Sequence, residues 1–282
     1  MKEYKSFFKT VGGNEGGKCR YNTRLDTFGC GCQHDCAYCY AKSLLSFRGL
    51  WDAKEPAVAD LDKIERKIAK LEPGTIVRLG GMTDCFQPME AQEHITAETI
   101  QLLNKYGIGY LIVTKSDLIC DYLSILDKDL AHVQVSTTWI PCEKAVSTER
   151  RIEAIERLEA AGVDTAVRLS PFVPQFVDFD RLNSIRCRKI IVEFLRVNHW
   201  IRAWLPLDYS SYTVKHAGYN HLPLDKKIEA LAKITGFDEV SVCEDVTEHY
   251  EYWRECVNHN KEDCCNLRFG GYENGTENQR TD

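Results

Sequence analysis

The stretch Cys30-Gly31-Cys32-Gln33-His34-Asp35-Cys36-Ala37-Tyr38-Cys39-Tyr40 constrains this chain more than any other. Cys32, Cys36 and Cys39 stand as C-x3-C-x2-C, with Gly29 and Gly31 just ahead of them. Glycine lets the backbone bend tightly, and three sulfurs on so short a loop can wrap around one bound object. A metal centre suits that spacing better than disulfide chemistry. A zinc site needs a fourth ligand, which Cys30 or His34 can supply, although the second C-x2-C or Cys/His pair of zinc knuckles is not obvious.

A chain of 282 residues can form one large α/β domain or a domain with an extension. It contains no apolar run of about 18 residues or more, so no membrane span is expected. The start, Met1 to Lys5, opens no apolar signal-peptide core. A cytoplasmic location follows as the expectation, and there the 13 cysteines read as thiols and metal ligands rather than disulfides. A net charge of −6 argues against a general nucleic-acid coat protein but leaves room for a local basic groove.

Residues 1–23 read as an irregular, glycine-rich lead-in, and a strand from about Thr23 to Phe28 delivers the cysteine loop. Leu61, Ile64, Ile68 and Leu71 then fall at helical spacing, stopped by Glu72-Pro73-Gly74. Strands at 75–79, 108–114, 132–137, 163–169 and 189–197 alternate with helices at about 96–106, 116–127 and 147–161. Such alternation implies βαβ units and a parallel sheet. The expected domains are a partial (β/α)6 barrel over 24–205, a small C-terminal α/β extension over 206–269, and a mobile tail over 270–282. The extension holds an aperiodic aromatic stretch to Pro223, a helix at 224–234, a strand at 239–243 and a helix at 245–258. In a barrel of parallel strands the chemistry sits on loops after the strands. The cysteine loop, Gly80-Gly81, Thr114-Lys115, Ser136-Thr137 and Ser170-Pro171 all follow strands.

The cysteine spacing, with an aromatic residue, Tyr38, just before the last cysteine, resembles the radical S-adenosylmethionine (SAM) enzymes. That resemblance implies a [4Fe–4S] cluster held by Cys32, Cys36 and Cys39, with SAM chelated by the iron that lacks a protein ligand. It also implies a six-unit partial barrel. Over residues 24–175 the chain resembles the spore photoproduct lyase-like branch. The matching stretches are Cys36 to Tyr40, Thr83-Asp84, Val113-Thr114-Lys115, and Arg151-Ile152 leading through Ala160-Ala161-Gly162 to Arg168-Leu169-Ser170-Pro171.

The resemblance places Gly80 and Gly81 against the SAM methionine group, with Met82 standing where the superfamily often has Glu. Thr83 belongs to the same cofactor-binding segment. Lys115 at the barrel rim can pair with a carboxylate, Ser136 can bond the SAM ribose, and Arg168 can hold a carboxylate in its bidentate fork. Lyases of the branch use a cysteine just before the threonine of that segment as a hydrogen donor. Met82 occupies that position here, and a thioether has no S–H to give. The nearest thiol is Cys85, and Tyr40 is the second candidate for hydrogen-atom relay.

Arg181, Arg186, Arg188, Lys189, Arg196 and Arg202 make a local basic excess, followed by Tyr209 and Tyr212. Arg186 and Arg188 are candidate phosphate contacts and the tyrosines candidate base-stacking groups. The C-terminal cysteines Cys243, Cys256, Cys264 and Cys265 can hold an auxiliary metal, although their spacing matches no known pattern. The expected activity is SAM cleavage to a 5′-deoxyadenosyl radical that takes hydrogen from a nucleobase of modified-thymine type. Lyase, isomerase and base-modifying outcomes stay open. The expected partners are a reductant such as flavodoxin or ferredoxin, and DNA, RNA or a nucleotide. A peptide or small-molecule substrate, and a non-catalytic zinc module, are the alternatives.

Overall fold

The structure is a computed structural model that describes residues 8–10, 19–21, 23–141 and 144–267. The tail at 270–282 and most of the lead-in at 1–23 lie outside the described residues. In chain order the strands are β1 (Phe8–Thr10), β2 (Thr23–Leu25), β3 (Phe28–Gly29), β4 (Ala57–Val58), β5 (Ile76–Leu79), β6 (Gly109–Thr114), β7 (Ala131–Thr137), β8 (Asp164–Phe172), β9 (Lys189–Phe194), β10 (Val214–His216), β11 (Tyr219–His221) and β12 (Glu239–Val242). The helices are α1 (Tyr40–Phe47), α2 (Leu61–Ile68), α3 (Glu90–Glu93), α4 (Ile95–Lys105), α5 (Thr148–Ala160), α6 (Phe179–Asn183), α7 (His199–Trp204), α8 (Leu224–Leu231) and α9 (Thr247–Cys256).

One eight-stranded sheet runs β1-β2-β5-β6-β7-β8-β9-β12. β1 pairs antiparallel with β2, and the remaining seven strands are parallel. This is the open, partial α/β barrel expected from the alternation. β12, which lies beyond residue 205, pairs in parallel with β9 and so belongs to the same sheet. β10 and β11 form a separate hairpin within the aromatic stretch, and Asn220 adds a bridge to Val197.

Side chains alternate across each strand, so each presents two faces. Val77, Leu79, Tyr110, Ile112, Val133, Val135, Val167, Leu169, Ile190 and Val192 pack with Ile64, Ile100, Ile152 and Ile155 of the helices in the main core. The opposite face carries Ile76 and Leu111 in a second, smaller core. It also carries a column of polar groups. His132 Nδ1 meets Asp164 Oδ2 at 2.5 Å, Lys189 bonds the same carboxylate, and Arg168 donates to Gln134 at 2.8 Å and Glu193 at 2.6 Å.

The helix starts follow from local chemistry. Asp60 accepts from Lys63 N at 3.1 Å, and Ser147 accepts from Arg150 N at 3.3 Å, each satisfying a donor that a helix leaves unpaired. Glu90 reaches forward to cap α4, accepting from Thr96 N and Ala97 N at 2.9 Å. Ser116 caps the segment expected as a helix at 116–127, which is a tighter 3-10 helix, Asp117–Ile125.

Four carboxylates, Asp84 and Glu244 buried and Asp164 and Glu193 half-buried, sit well below the ordinary range. Burial alone raises a carboxyl, yet His34 and Thr114 hold Asp84, His132 and Lys189 hold Asp164, Arg168 and Arg196 hold Glu193, and His249 and Lys227 hold Glu244, each at about 2. A carboxylate whose folded value is depressed contributes stability above its unfolded value of ~4 and loses it as pH falls through the folded value. Near-ultraviolet circular dichroism should therefore hold its tertiary signal down to a pH of ~4 and lose it progressively toward ~2. A signal unchanged at pH ~2 would contradict this pairing scheme.

Candidate active site

The cysteine loop leaves β3 through Gly29 and turns sharply. Cys30 and Asp35 adopt positive φ angles of 56° and 46°. At Gly31 an added Cβ would lie 1.8 Å from the Asp52 carbonyl oxygen, so only glycine fits. Asp52 N donates to Cys30 O at 2.8 Å, tying the loop to the chain after α1. Gln33 pins its other side: its N–H donates to Gln87 Oε1 at 2.8 Å, and its Oε1 accepts from Met89 N at 2.7 Å. Cys39 is the N-cap of α1, its Sγ accepting from Lys42 N at 3.3 Å. This short helix was not among the helices read from the sequence pattern.

Cys32, Cys36 and Cys39 all face one cavity at the C-terminal ends of the strands. Its wall also includes Tyr38, Tyr40, Gly80, Gly81, Thr83, Lys115, Ser136 and Arg168. The candidates from the cysteine loop and from the ends of β5, β6, β7 and β8 thus converge on one space. Cys85 does not line it; it is fully buried, with a thiol that burial pushes well above its ordinary value. Arg186 and Arg188 lie at the start of β9, whereas the cavity lies at its end. Arg186 pairs with Glu156 at 2.8 Å and Arg188 with Glu239 at 3.2 Å. Tyr212 is buried and stacks edge-on with Tyr209, whose hydroxyl donates to Leu205 O at 2.6 Å; neither is on the cavity wall.

The cavity adds Trp51, Arg78 and Glu193, which sequence reasoning did not select, and takes in His34, Asp84, Ser170 and Arg196, which it had noted without assigning them to a SAM site. Asp84 organises the rim. It accepts from Thr114 Oγ1 at 2.7 Å and Lys115 N at 2.6 Å, and meets His34 Nε2 at 3.2 Å. Lys115 Nζ donates to Ser136 Oγ at 2.6 Å and lies 5.3 Å above the Tyr38 ring. Arg168 and Arg196 both grip Glu193, at 2.6 and 3.3 Å. Arg196 also stands over the rings of Tyr40 and Tyr219, at 5.4 and 5.8 Å, and bonds Asp245. The spacing of Arg168 and Glu193 in sequence gives no hint of their pairing, and Glu193 is the one acid among residues 181–202.

The donors suit a thiophilic cluster with a bound organic ligand. Burial pushes Cys32 up to about 12 and raises Cys39 as well, so as free groups both are protonated thiols. A positive centre converts such sulfurs to thiolates. Gly80, with φ +81°, brings backbone to the wall where a Cβ would meet Val113 O at 2.6 Å. Trp51 Nε1 is buried beside the cavity with no hydrogen-bond partner. An unpaired buried donor on a cavity wall fits an acceptor supplied by a ligand.

Replacing Arg168 with Met should leave Glu193 partly buried with one of its two cations gone. The expected cost is about 3 kcal/mol, read as a lower denaturant midpoint. Arg168→Met combined with Glu193→Gln should recover part of it. Equal loss in the single and double variants would reject the pair as the anchor of this wall. Gly31→Ala should lose bound iron while leaving the far-ultraviolet spectrum intact.

Comparison with known proteins agrees with this geometry. A family model described as the radical SAM superfamily matches residues 27–186. An uncharacterized protein of Methanocaldococcus jannaschii is 24% identical over 164 residues, 53% of this chain and 60% of that protein. The radical SAM Nα-GlyT isomerase of Pseudomonas phage M6 is 22% identical over 197 residues, 64% of this chain and 40% of the isomerase. The chain therefore spans less than two thirds of the length of both curated relatives. A point mutant of spore photoproduct lyase superposes with a TM-score of 0.62 at 15% identity, covering 83% of this chain and 78% of the lyase. The lyase complexed with dinucleoside spore photoproduct gives 0.58 at the same identity and coverage. No described helix is long and apolar enough to cross a membrane. Because the family match takes in more than half of the sequence, the chain belongs to the radical SAM superfamily, whose cofactors are a [4Fe–4S] cluster and SAM, and its fold is a partial barrel.

Proposed function

We propose that Cys32, Cys36 and Cys39 hold the cluster, that the adjoining wall holds SAM, and that the substrate is a nucleobase in nucleic acid. Bound together, the cluster and SAM supply a 5′-deoxyadenosyl radical that removes a hydrogen atom from the substrate. The chain's own residues bind, orient and shield. Gly80 and Gly81 give the ligand close access to backbone. Lys115, whose partners are a hydroxyl, a carbonyl and a ring, is the cation for the SAM carboxylate. Ser136 fixes that ammonium and is itself anchored on Ser170 O at 2.8 Å.

The observation that carries the substrate reading is the Arg196 wall. A guanidinium standing over the Tyr40 and Tyr219 rings, beside the cavity, offers planar and cationic surface together. Bases stack on such surfaces without needing a hydrogen-bond code. The isomerase of phage M6 and the lyase with its dinucleoside product supply the analogy. Arg186 and Arg188, each already holding an acid, stay candidates for contacts to flanking phosphates. Tyr40 lines the cavity and donates its hydroxyl to Gly81 O, whereas Cys85 lies off the wall. Tyr40 is thus the favoured group for returning a hydrogen atom. The reaction is a lyase, isomerase or base-modifying step, and a flavodoxin or ferredoxin supplies the electron.

Deuterated candidate bases, presented in oligonucleotides with dithionite and SAM, should transfer deuterium into 5′-deoxyadenosine, read by mass spectrometry. Transfer from a peptide or free metabolite, with none from any base, would sink the nucleobase reading. Cys36→Ala should abolish 5′-deoxyadenosine formation, and retained cleavage would reject the ligand assignment. Tyr40→Phe should keep SAM cleavage while lowering product formation about tenfold or more, the range of a lost relay group.

A further inference from the structure

A second thiol group lies inside the sheet, away from the cysteine loop. Cys19 precedes β2, Cys243 follows β12, and Cys264 and Cys265 lie on the segment after α9. The Cys264 thiol is within hydrogen-bonding reach of the thiols of Cys19, Cys243 and Cys265. Tyr21, Ile76, Leu111, Val113 and Leu267 pack around them. Cys256, the other C-terminal cysteine, is exposed and does not join the group.

The surrounding structure holds these sulfurs in place. Asp263 accepts from Cys265 N at 3.1 Å and Leu267 N at 3.0 Å, fixing a tight turn that turns both cysteines inward. Asn266, with φ 50°, donates to Ser241 Oγ at 3.0 Å, and its carbonyl accepts from Lys189 Nζ at 3.2 Å. Cys243 N donates to Val192 O at 2.8 Å, continuing the sheet. Packing four thiols together, two of them buried and two half-buried, gains little as hydrogen bonding, because S–H is a weak donor and S a weak acceptor.

We propose that Cys19, Cys243, Cys264 and Cys265 form a second metal centre that takes a single thiophilic divalent ion of the zinc class. A tetrahedral tetrathiolate zinc site, with Zn–S near 2.3 Å, puts its sulfurs about 3.8 Å apart, a compact set that four cysteines packed into one small cluster around Cys264 can reach. A cubane cluster needs them much farther apart. Among the described residues no group of three or more His, Cys, Asp or Glu stands closed as a metal site, and that holds for Cys32, Cys36 and Cys39 as well. Here the contacts radiate from Cys264, so closing the tetrahedron asks its side chain to move off the centre. Binding exchanges the thiol protons for the ion, leaving a doubly negative centre. Arg78 is within electrostatic reach of Cys19, Arg168 of Cys243 and Cys265, and Arg196 of Cys243. These cations offset that charge.

The site would join opposite sides of an open sheet. Cys19 lies on the chain between β1 and β2, at one edge, and Cys243 ends β12, at the other. The ion closes by coordination what the strands do not close by hydrogen bonding.

The test uses full-length protein in which Cys32, Cys36 and Cys39 are all alanine, so that iron at the first site cannot interfere. Elemental analysis should find about one zinc per chain, lost on adding Cys19→Ser or Cys264→Ser and retained on adding Cys256→Ser. Should the serine variants fail to fold, cobalt(II) added to the metal-stripped triple variant should give intense thiolate charge-transfer and tetrahedral d–d bands that zinc displaces. No metal uptake, a Cys19–Cys264 disulfide by mass mapping, or an iron–sulfur spectrum in the triple variant would each overturn the proposal.

Discussion

Arg168 and Glu193 meet across neighbouring strands inside the sheet, and much of the molecule is arranged so that they can. A closed barrel of eight strands fills its interior with apolar side chains. This open one instead carries Arg78, His132, Gln134, Asp164, Arg168, Lys189 and Glu193 on the side away from the main core. Buried charge is costly unless paired, so each of these groups has to be answered by another in register. Parallel pairing supplies that register: Ser136 stands opposite Arg168, and Arg168 opposite Ile191. A one-residue slip of β9 would turn Glu193 into the helix layer and strand Arg168. The same constraint that makes the interior able to hold polar ligands therefore fixes how the strands align.

Two cations on the same wall show how such a network divides its work. Arg168 is engaged at both of its amino groups, one by Gln134 and one by Glu193, and Glu193 is in turn shared with Ser170 and Arg196. Lys115 is a few ångströms into the same cavity, yet its partners carry no full charge. An ammonium on a flexible stem, resting on a ring and a hydroxyl, can change partners at small cost. Arg168 cannot leave Glu193 without uncovering a charge. Arg168 thus braces the wall of the cavity it lines, while Lys115 rests on partners it can exchange.

The parts of the fold visible in the sequence were those with local causes. Apolar periodicity marked α2, α4 and α5, and apolar runs marked β5 to β9. Asp60, Ser116 and Ser147 are residue types that cap by their own side chains, a local cause each time. The cysteine loop was legible because its glycines and thiols are contiguous. What sequence did not carry was pairing at long range. Glu193 lies 25 residues from Arg168, and nothing in either neighbourhood points to the other. The two-stranded hairpin β10–β11 was hidden in an aromatic stretch whose strands of three residues are too short for a period. Cys19 belonged to a lead-in that had no element to attach it to, and Cys256 looked equivalent to its C-terminal neighbours until α9 carried it to the surface.

The edges of the sheet bear on how the site is kept together. An open parallel sheet exposes unpaired backbone at both ends, and natural folds blunt such edges rather than leave them bare. Here β1 covers one edge by antiparallel pairing. At the other, β12 is backed by Asn258, which accepts from Val242 N at 2.8 Å, and by the inward turn at Asp263 to Leu267. That turn sits behind the same face that holds Arg168 and Arg196, with Lys189 reaching from Asp164 to its backbone. The turn at Asp263 to Leu267 therefore packs into the barrel interior. A change there would be felt along the polar column, through Lys189, Asp164 and His132, before it reached the cavity mouth.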